Sequence, residues 1–222
     1  MLTDYQTKVT DLLRDQDSRI TTTQRDAVIA DAVREYSRRK PRLLVQDVTG
    51  DGTRLLPLPA AWVADHSLLS DIEYPIGDLP PTLLESFSFY RSPTATKILL
   101  ADAVASGQNA RLSFTAPHQV DGDEDTVPAA DREAVCNYAA AILCEHLAAV
   151  YSGSGDATIQ ADSVDHRSKA SEFRQQASTL RRRFYEQLGV DPKKNNAAGV
   201  VVNLDLPDSQ GQDRLTHSNR YR

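Results

Sequence analysis

Asp121, Asp123 and Asp125 stand at alternate positions in the stretch DGDEDT, the spacing with which a calcium-binding loop presents its first oxygen ligands. The pattern then breaks. Such a loop needs a glycine at its sixth position for the sharp turn and a bidentate glutamate at its twelfth, and this chain has Thr126 and Arg132 there. The carboxylates are read instead as complements to the positive end of a helix starting near Pro128. His66, His118, His146, His166 and His217 are scattered, and none lies in a His-Glu-x-x-His pattern. Cys144 and His146 are offset by two residues and face different sides of a helix, so zinc ligation is not expected. Gly153-Ser154-Gly155 is not a nucleophile elbow and reads as a linker, and no glycine-lysine pair opens a helix to cradle a phosphate. Cys136 and Cys144 are eight residues apart in a helical stretch, more than two turns, which is too far for a disulfide. They read as buried thiols. The expectation is a protein that is not an enzyme and needs no cofactor or metal.

Arg181, Arg182 and Arg183 offer chemistry of another kind. One reading puts them on the solvated face and last turn of a final helix, where cations oppose the negative end of the dipole. In the other they grip something acidic, either nucleic acid or a partner's carboxylates. Between residues 164 and 188 six basic side chains (Arg167, Lys169, Arg174, Arg181, Arg182, Arg183) face three acidic ones (Asp165, Glu172, Glu186). The whole chain, by contrast, carries a formal charge of −6. Oppositely charged surfaces of identical neighbours are therefore able to meet. The negative balance argues against a protein whose main work is gripping duplex DNA.

The elements that must position these residues follow from periodicity. Leu2, Tyr5, Val9, Leu12 and Leu13 recur at helical spacing over residues 2–14. A second helix follows, capped near Thr22 or Thr23, with Ile29, Ala32, Val33 and Tyr36 on one face and Pro41 beyond its end. The short polar link between the two predicts an antiparallel hairpin. From Leu43 the period changes, and Gly50-Asp51-Gly52 between two β-capable runs predicts a β-hairpin. Short strands are expected within SDIEYPI, TLLESFSFYR, TKILLAD and NARLSFTAP. Helix returns with Val135, Tyr138, Ala139, Ile142, Leu143, Leu147 and Val150 on a broad apolar face, in a segment whose alanines permit close packing. It reads as the hub of the core. A final helix over 164–188 carries Ala170, Phe173, Ala177, Leu180, Phe184 and Leu188 on one face and ends at Gly189.

The expected class is α+β: a discontinuous antiparallel helical bundle from residues 1–42 and 121–189, a small antiparallel β-domain inserted at 43–120, and an extended C-terminal arm at 190–222. That arm holds GVVVNLDL, whose Val200, Val201, Val202, Leu204 and Leu206 form a strand-like run that an isolated tail should not expose. Fully extended, an arm of that length spans on the order of 100 Å, enough to reach another subunit. No purely apolar stretch approaches the roughly 18 residues of a membrane span. The start MLTDYQTKV lacks a basic region followed by an apolar core, so a cytosolic product is expected.

With these pieces placed, LTDYQTKVTDLLRD, AVCNYAAAILCEHLAAVY and SVDHRSKASEFRQQASTLRRRFYEQLG resemble the helices of tailed-bacteriophage head-tail connector proteins, the adaptors beneath the portal. The resemblance covers the helical parts; the β-insertion departs from the simplest all-helical adaptors. It implies a non-enzymatic virion protein at the neck, made in the host cytoplasm, that forms a ring, commonly of about twelve subunits, by closed cyclic symmetry. Its implied partners are the portal protein, a stopper or tail-side neck protein, further copies of itself, and genomic DNA sliding through an acidic lumen without specific binding. On this analogy Arg181, Arg182, Arg183, Phe184 and Tyr185 lie near subunit or portal contacts. Val200, Val201, Val202, Leu204 and Leu206 are then stapled to a neighbour by strand addition. The rival expectation is a nucleic-acid-binding phage protein that uses the basic final helix.

Overall fold

A computed structural model describes residues 1–13, 19–153 and 162–191, the side chains of 162–168 excepted. The chain is α+β, with four helices and two small antiparallel sheets. Helix α1 is Leu2–Leu13 and α2 is Thr22–Arg39; six strands follow, β1 Arg42–Thr49, β2 Leu55–Pro57, β3 Leu69–Glu73, β4 Phe87–Arg91, β5 Thr96–Leu100 and β6 Asn109–Ala116. After a 3-10 turn at Ala129–Asp131 come α3, Arg132–Gly153, and α4, Asp162–Leu188.

Helix α2 begins at Thr22 and its cap is Thr21, one residue before the expected Thr22 or Thr23. Thr21 accepts from the Gln24 amide while the Gln24 side chain accepts from the Thr21 amide, a reciprocal box that satisfies two otherwise orphaned donors. Helix α3 begins at Arg132 and not near Pro128, because Asp131 closes the 3-10 turn on the Pro128 carbonyl. Residues 129–153 are long and apolar enough to cross a membrane by length and composition alone, yet 67% of their most apolar 18-residue window is buried in the protein. The apolarity serves the core. Helix α3 is buried nearly all round, with Ala134, Ala139, Ala140 and Ala141 letting α1, α2 and α4 approach. Val150, expected on the core face, is 41% exposed at the helix's far end.

The expected hairpin of α1 and α2 takes a different form. Both helices turn their apolar stripes chiefly to α3 and meet each other through polar bridges, Gln6 to Asp26 at 2.9 Å and Arg25 to Thr10 at 3.2 Å. Helix α4 lies along α3 through Ala170, Ala177, Leu180 and Phe184, with ring pairs Tyr138–Phe184 at 4.6 Å and Tyr151–Phe173 at 5.6 Å. It ends at Gly189, whose φ of +66° suits a residue without a Cβ.

The β-hairpin expected at Gly50-Asp51-Gly52 does not form. Strand β1 joins a sheet of order β1-β6-β3, whereas β2 joins a second sheet of order β2-β5-β4. The reason is local. Gly50 exchanges backbone hydrogen bonds with Gln108 and Gly107, and a Cβ on it would lie 2.5 Å from Val104. Its hydrogen bonds are therefore committed to the turn before β6. The two sheets share one hydrophobic cluster, in which Leu56, Ile72, Ile98, Leu112 and Phe114 are fully buried.

Helices and sheets are joined where the chain enters and leaves the β-segment. At the end of α2, Tyr36 and Lys40 both donate to Asp131 at 2.6 Å, and the Ser37 hydroxyl accepts from the His118 amide at 2.9 Å. The His118 ring packs 5.0 Å from the Tyr36 ring and lies between the Lys40 and Thr126 carbonyls. Burial raises the Asp131 pKa, but the bonds from Lys40 and Tyr36 outweigh it and hold the group below its ordinary value. A carboxylate with a depressed folded pKa adds stability above its ordinary value of 3.8 and loses it as pH falls through the folded one. Asp131→Asn should therefore lower stability at neutral pH by about 1–3 kcal/mol. In urea unfolding followed at a series of pH values, the deficit should shrink below pH 3.8; a deficit constant with pH would contradict the charged clasp.

Candidate interaction surface

The basic run that stood out in the sequence is only partly available to a partner. Arg181, Arg182 and Arg183 lie more than a turn before the end of α4, whose last turn holds no basic residue, so they do not serve the helix dipole. Arg181 reaches Glu145 of α3 with both terminal nitrogens, at 2.8 and 3.0 Å, and lies over the Tyr138 ring. Arg182 pairs with Glu186 one turn on. Arg174 and Arg183 are exposed and make no ion pair among the described residues.

Phe184 is not a contact residue in this chain. It is fully buried against Tyr138 and Tyr185, because its position on α4 faces α3. Tyr185 is half-buried, with the Arg39 guanidinium 5.8 Å from its ring centroid. Val200, Val201, Val202, Leu204 and Leu206 lie outside the described residues. A groove of about 710 Å³ runs along α4, lined among others by Glu145, Arg174, Arg181, Tyr185 and Val190.

The acidic loop is likewise committed. Asp125 accepts from the Tyr5 hydroxyl at 3.2 Å and from the Val127 amide at 3.0 Å, and pairs with Arg132 at 3.0 Å. Burial and this carboxylate together push the Tyr5 phenol well above its usual range. Asp121 accepts from the Asp123 and Glu124 amides, which holds its carboxyl below the ordinary value. The loop thus ties α1 to the start of α3, an attachment completed by the Leu2 amide donating to the Asp121 carbonyl. Burial pushes the Cys136 thiol up to about 11 and the Cys144 thiol up to about 12, so both stay protonated and unreactive at neutral pH.

Most of the exposed large apolar side chains lie in the β-segment. Of eleven exposed large hydrophobic side chains among the described residues, nine fall between Leu43 and Leu99. On β6, Ala110, Leu112 and Phe114 point into the shared core, so Arg111, Ser113 and Thr115 point outward. Their partners on β1 are Asp47, Val45 and Leu43, and those on β3 are Glu73 for Arg111 and Asp71 for Ser113. Leu68, bonded to Thr115 through its backbone, extends the last row. The outer face of this sheet is consequently apolar at one end, where Leu43 is 72% and Val45 63% exposed. At the other end it is acidic: Arg111 lies between Asp47 at 2.9 Å and Glu73 at 3.5 Å, with Asp71 exposed nearby. Strand β1 is an edge, paired to β6 on one side and with no strand on its other side among the described residues.

Sequence reasoning missed this face. The signal was present in RLLVQDV, where apolar residues occupy both parities of one strand. Such a strand is either covered on both sides or exposes an apolar side. Compared with known proteins, the chain matches no family model and no curated sequence.

Exposed side chains add little to the fold they sit on. The double substitution Leu43→Ser, Val45→Ser should change urea-unfolding stability by no more than about 0.5 kcal/mol per site. Leu112→Ala, on the opposite face of the neighbouring strand, should cost about 2–5 kcal/mol. A large loss from the double variant would place Leu43 and Val45 in the core.

Proposed function

We propose that this protein is a structural component of a tailed-phage virion, an adaptor that forms a ring beneath the portal and joins capsid to tail while continuing the DNA channel. In this reading the helices form a discontinuous antiparallel bundle, residues 43–120 are an inserted β-unit, and 190–222 are an extended arm directed to the portal. The protein acts by geometric matching and catalyses no reaction. The observation that carries the proposal is the outer face of the β1-β6-β3 sheet, where Leu43 and Val45 stand open on β1, the edge strand. A side face of this kind, apolar and rimmed by carboxylates, is the chemistry of a surface that another protein covers. The separation of basic charge on α4 from acidic charge on the sheet adds support, because neighbouring copies with such surfaces attract in one orientation. Pairing of Arg181 and Arg182 within the chain leaves the rival nucleic-acid reading with less free charge to work with.

The test is to mix the protein with candidate portal and tail-side neck proteins and view the particles by electron microscopy. Rings seated on the portal are expected, and no shift of duplex DNA by the isolated chain in a low-salt gel. Removing residues 190–222 should leave a folded, helical protein by circular dichroism and cut head-tail joining at least tenfold, equivalent to about 1.4 kcal/mol or more of docking energy. Normal joining by the truncated chain would refute the role given to the arm.

A further inference from the structure

The end of α4 turns the chain back on itself. The Gly189 amide donates to the Glu186 carbonyl at 3.1 Å and the Val190 amide to the Tyr185 carbonyl at 3.0 Å. These paired bonds close a helix whose next residue is left-handed, as Gly189 is at φ +66°. Such a turn sets the residue beyond the glycine against the last turn of its own helix. Val190 and Asp191 accordingly line the α4 groove together with Tyr185. The chain beyond Asp191 therefore departs from the groove's own wall.

The groove does not select by charge. Arg174, Arg181 and Arg182 are matched by Glu145, Glu186 and Asp191, so a polyanion gains nothing there. Its wall is mainly apolar, made by Tyr185, Val190 and the aliphatic stems of the arginines. The lining residues of α4 recur at helical spacing in one stripe, and with the helical rise the distance from Arg174 to Gly189 is about 22 Å. The sequence that follows supplies a matching run. Val200, Val202, Leu204 and Leu206 share one parity, so an extended chain gathers them on one apolar side and puts Val201, Asn203 and Asp205 on the other. The seven residues 200–206, extended, cover about 23 Å, the length of the stripe. The eight residues between Asp191 and Val200 span up to about 26 Å, enough to start the run at either end of the groove.

We infer that in the free chain residues 200–206 seat in the α4 groove of the same molecule, with their apolar side on Tyr185 and Val190. The tether decides for the same molecule: a short linker holds the run near the groove at an effective concentration on the order of millimolar, above that of a second copy in micromolar solution. The seat covers an apolar run that would otherwise be open to aggregation. This inference stands apart from the adaptor reading, which concerns where the arm goes once a partner is met; on that reading the portal draws the arm out of the groove.

Thermolysin, which cuts on the amino side of valine and leucine, tests the seat on the full chain, with cleavage sites assigned by mass spectrometry and folding checked by circular dichroism. Ser178 is exposed and lines the groove, so Ser178→Trp fills the groove without touching the core. Cleavage between residues 199 and 206 is expected to be about tenfold or more faster in Ser178→Trp than in the wild type, because proteolysis follows the population of the open form. Equal rates in the two chains overturn the proposal. Protection that grows with protein concentration overturns it as well, since it would put the run on a second copy. A cysteine pair gives an independent readout, because Cys136 and Cys144 are buried and do not compete. Ser178→Cys with Val202→Cys should form a disulfide within one chain, running as monomer on a non-reducing gel. It should do so about tenfold or more faster than Asp31→Cys with Val202→Cys, whose first site is exposed on α2. Comparable rates for the two pairs, or a linked dimer, overturn the proposal. Neither assay contains a portal, so a failure here leaves the adaptor reading to the head-tail joining experiment.

Discussion

A buried carboxylate with no room to be left alone organises this chain. Asp131 sits at the start of α3, largely out of solvent, and its charge is held by the Tyr36 hydroxyl and the Lys40 ammonium at the end of α2. Stripping either partner from a buried charge costs more than the pair contributes when whole, which makes the geometry stringent. Because α2 and α3 are separated in sequence by all six strands, the clasp also brings the two ends of the β-segment together. His118, just past β6, completes the join through Ser37 and the Lys40 carbonyl.

That constraint leaves two hydrophobic clusters of unequal character. The helical cluster is closed: α3 is surrounded, its cysteines are sealed, and α1 is fixed at its start by Tyr5 and Asp125. The β-cluster lies between the inner faces of two small sheets, and each has edge strands paired on one side only among the described residues. Three-stranded sheets this short bury one face well and have little left to cover the other. Leu43, Val45, Leu68, Tyr90 and Leu99 remain in contact with solvent for that reason. The asymmetry gives the molecule a closed helical frame and an exposed apolar face on its sheets.

Charge is distributed by the same logic. Most ion pairs link neighbours within one element or adjacent ones, such as Glu35 with Arg38 and Arg39, or Glu145 with Arg181, and so contribute little to stability individually. Their larger effect is on the field outside the protein. Arginines collect along α4 and carboxylates along the outer sheet face.

The amino-acid sequence by itself determined the features that depend on neighbours along the chain. The four helices, the apolar stripe of α4, the terminator at Gly189 and the change of period at Leu43 are written in spacings of a few residues. Tertiary structure alone decided what depends on residues distant in sequence. Gly50 became a close contact of Val104 and not a hairpin turn, Phe184 went to the core, Arg181 was claimed by Glu145, and Leu43 was left outside. A local pattern states that a side chain is apolar or charged and which face it shares, but whether that face meets another element depends on packing between segments far apart in the sequence.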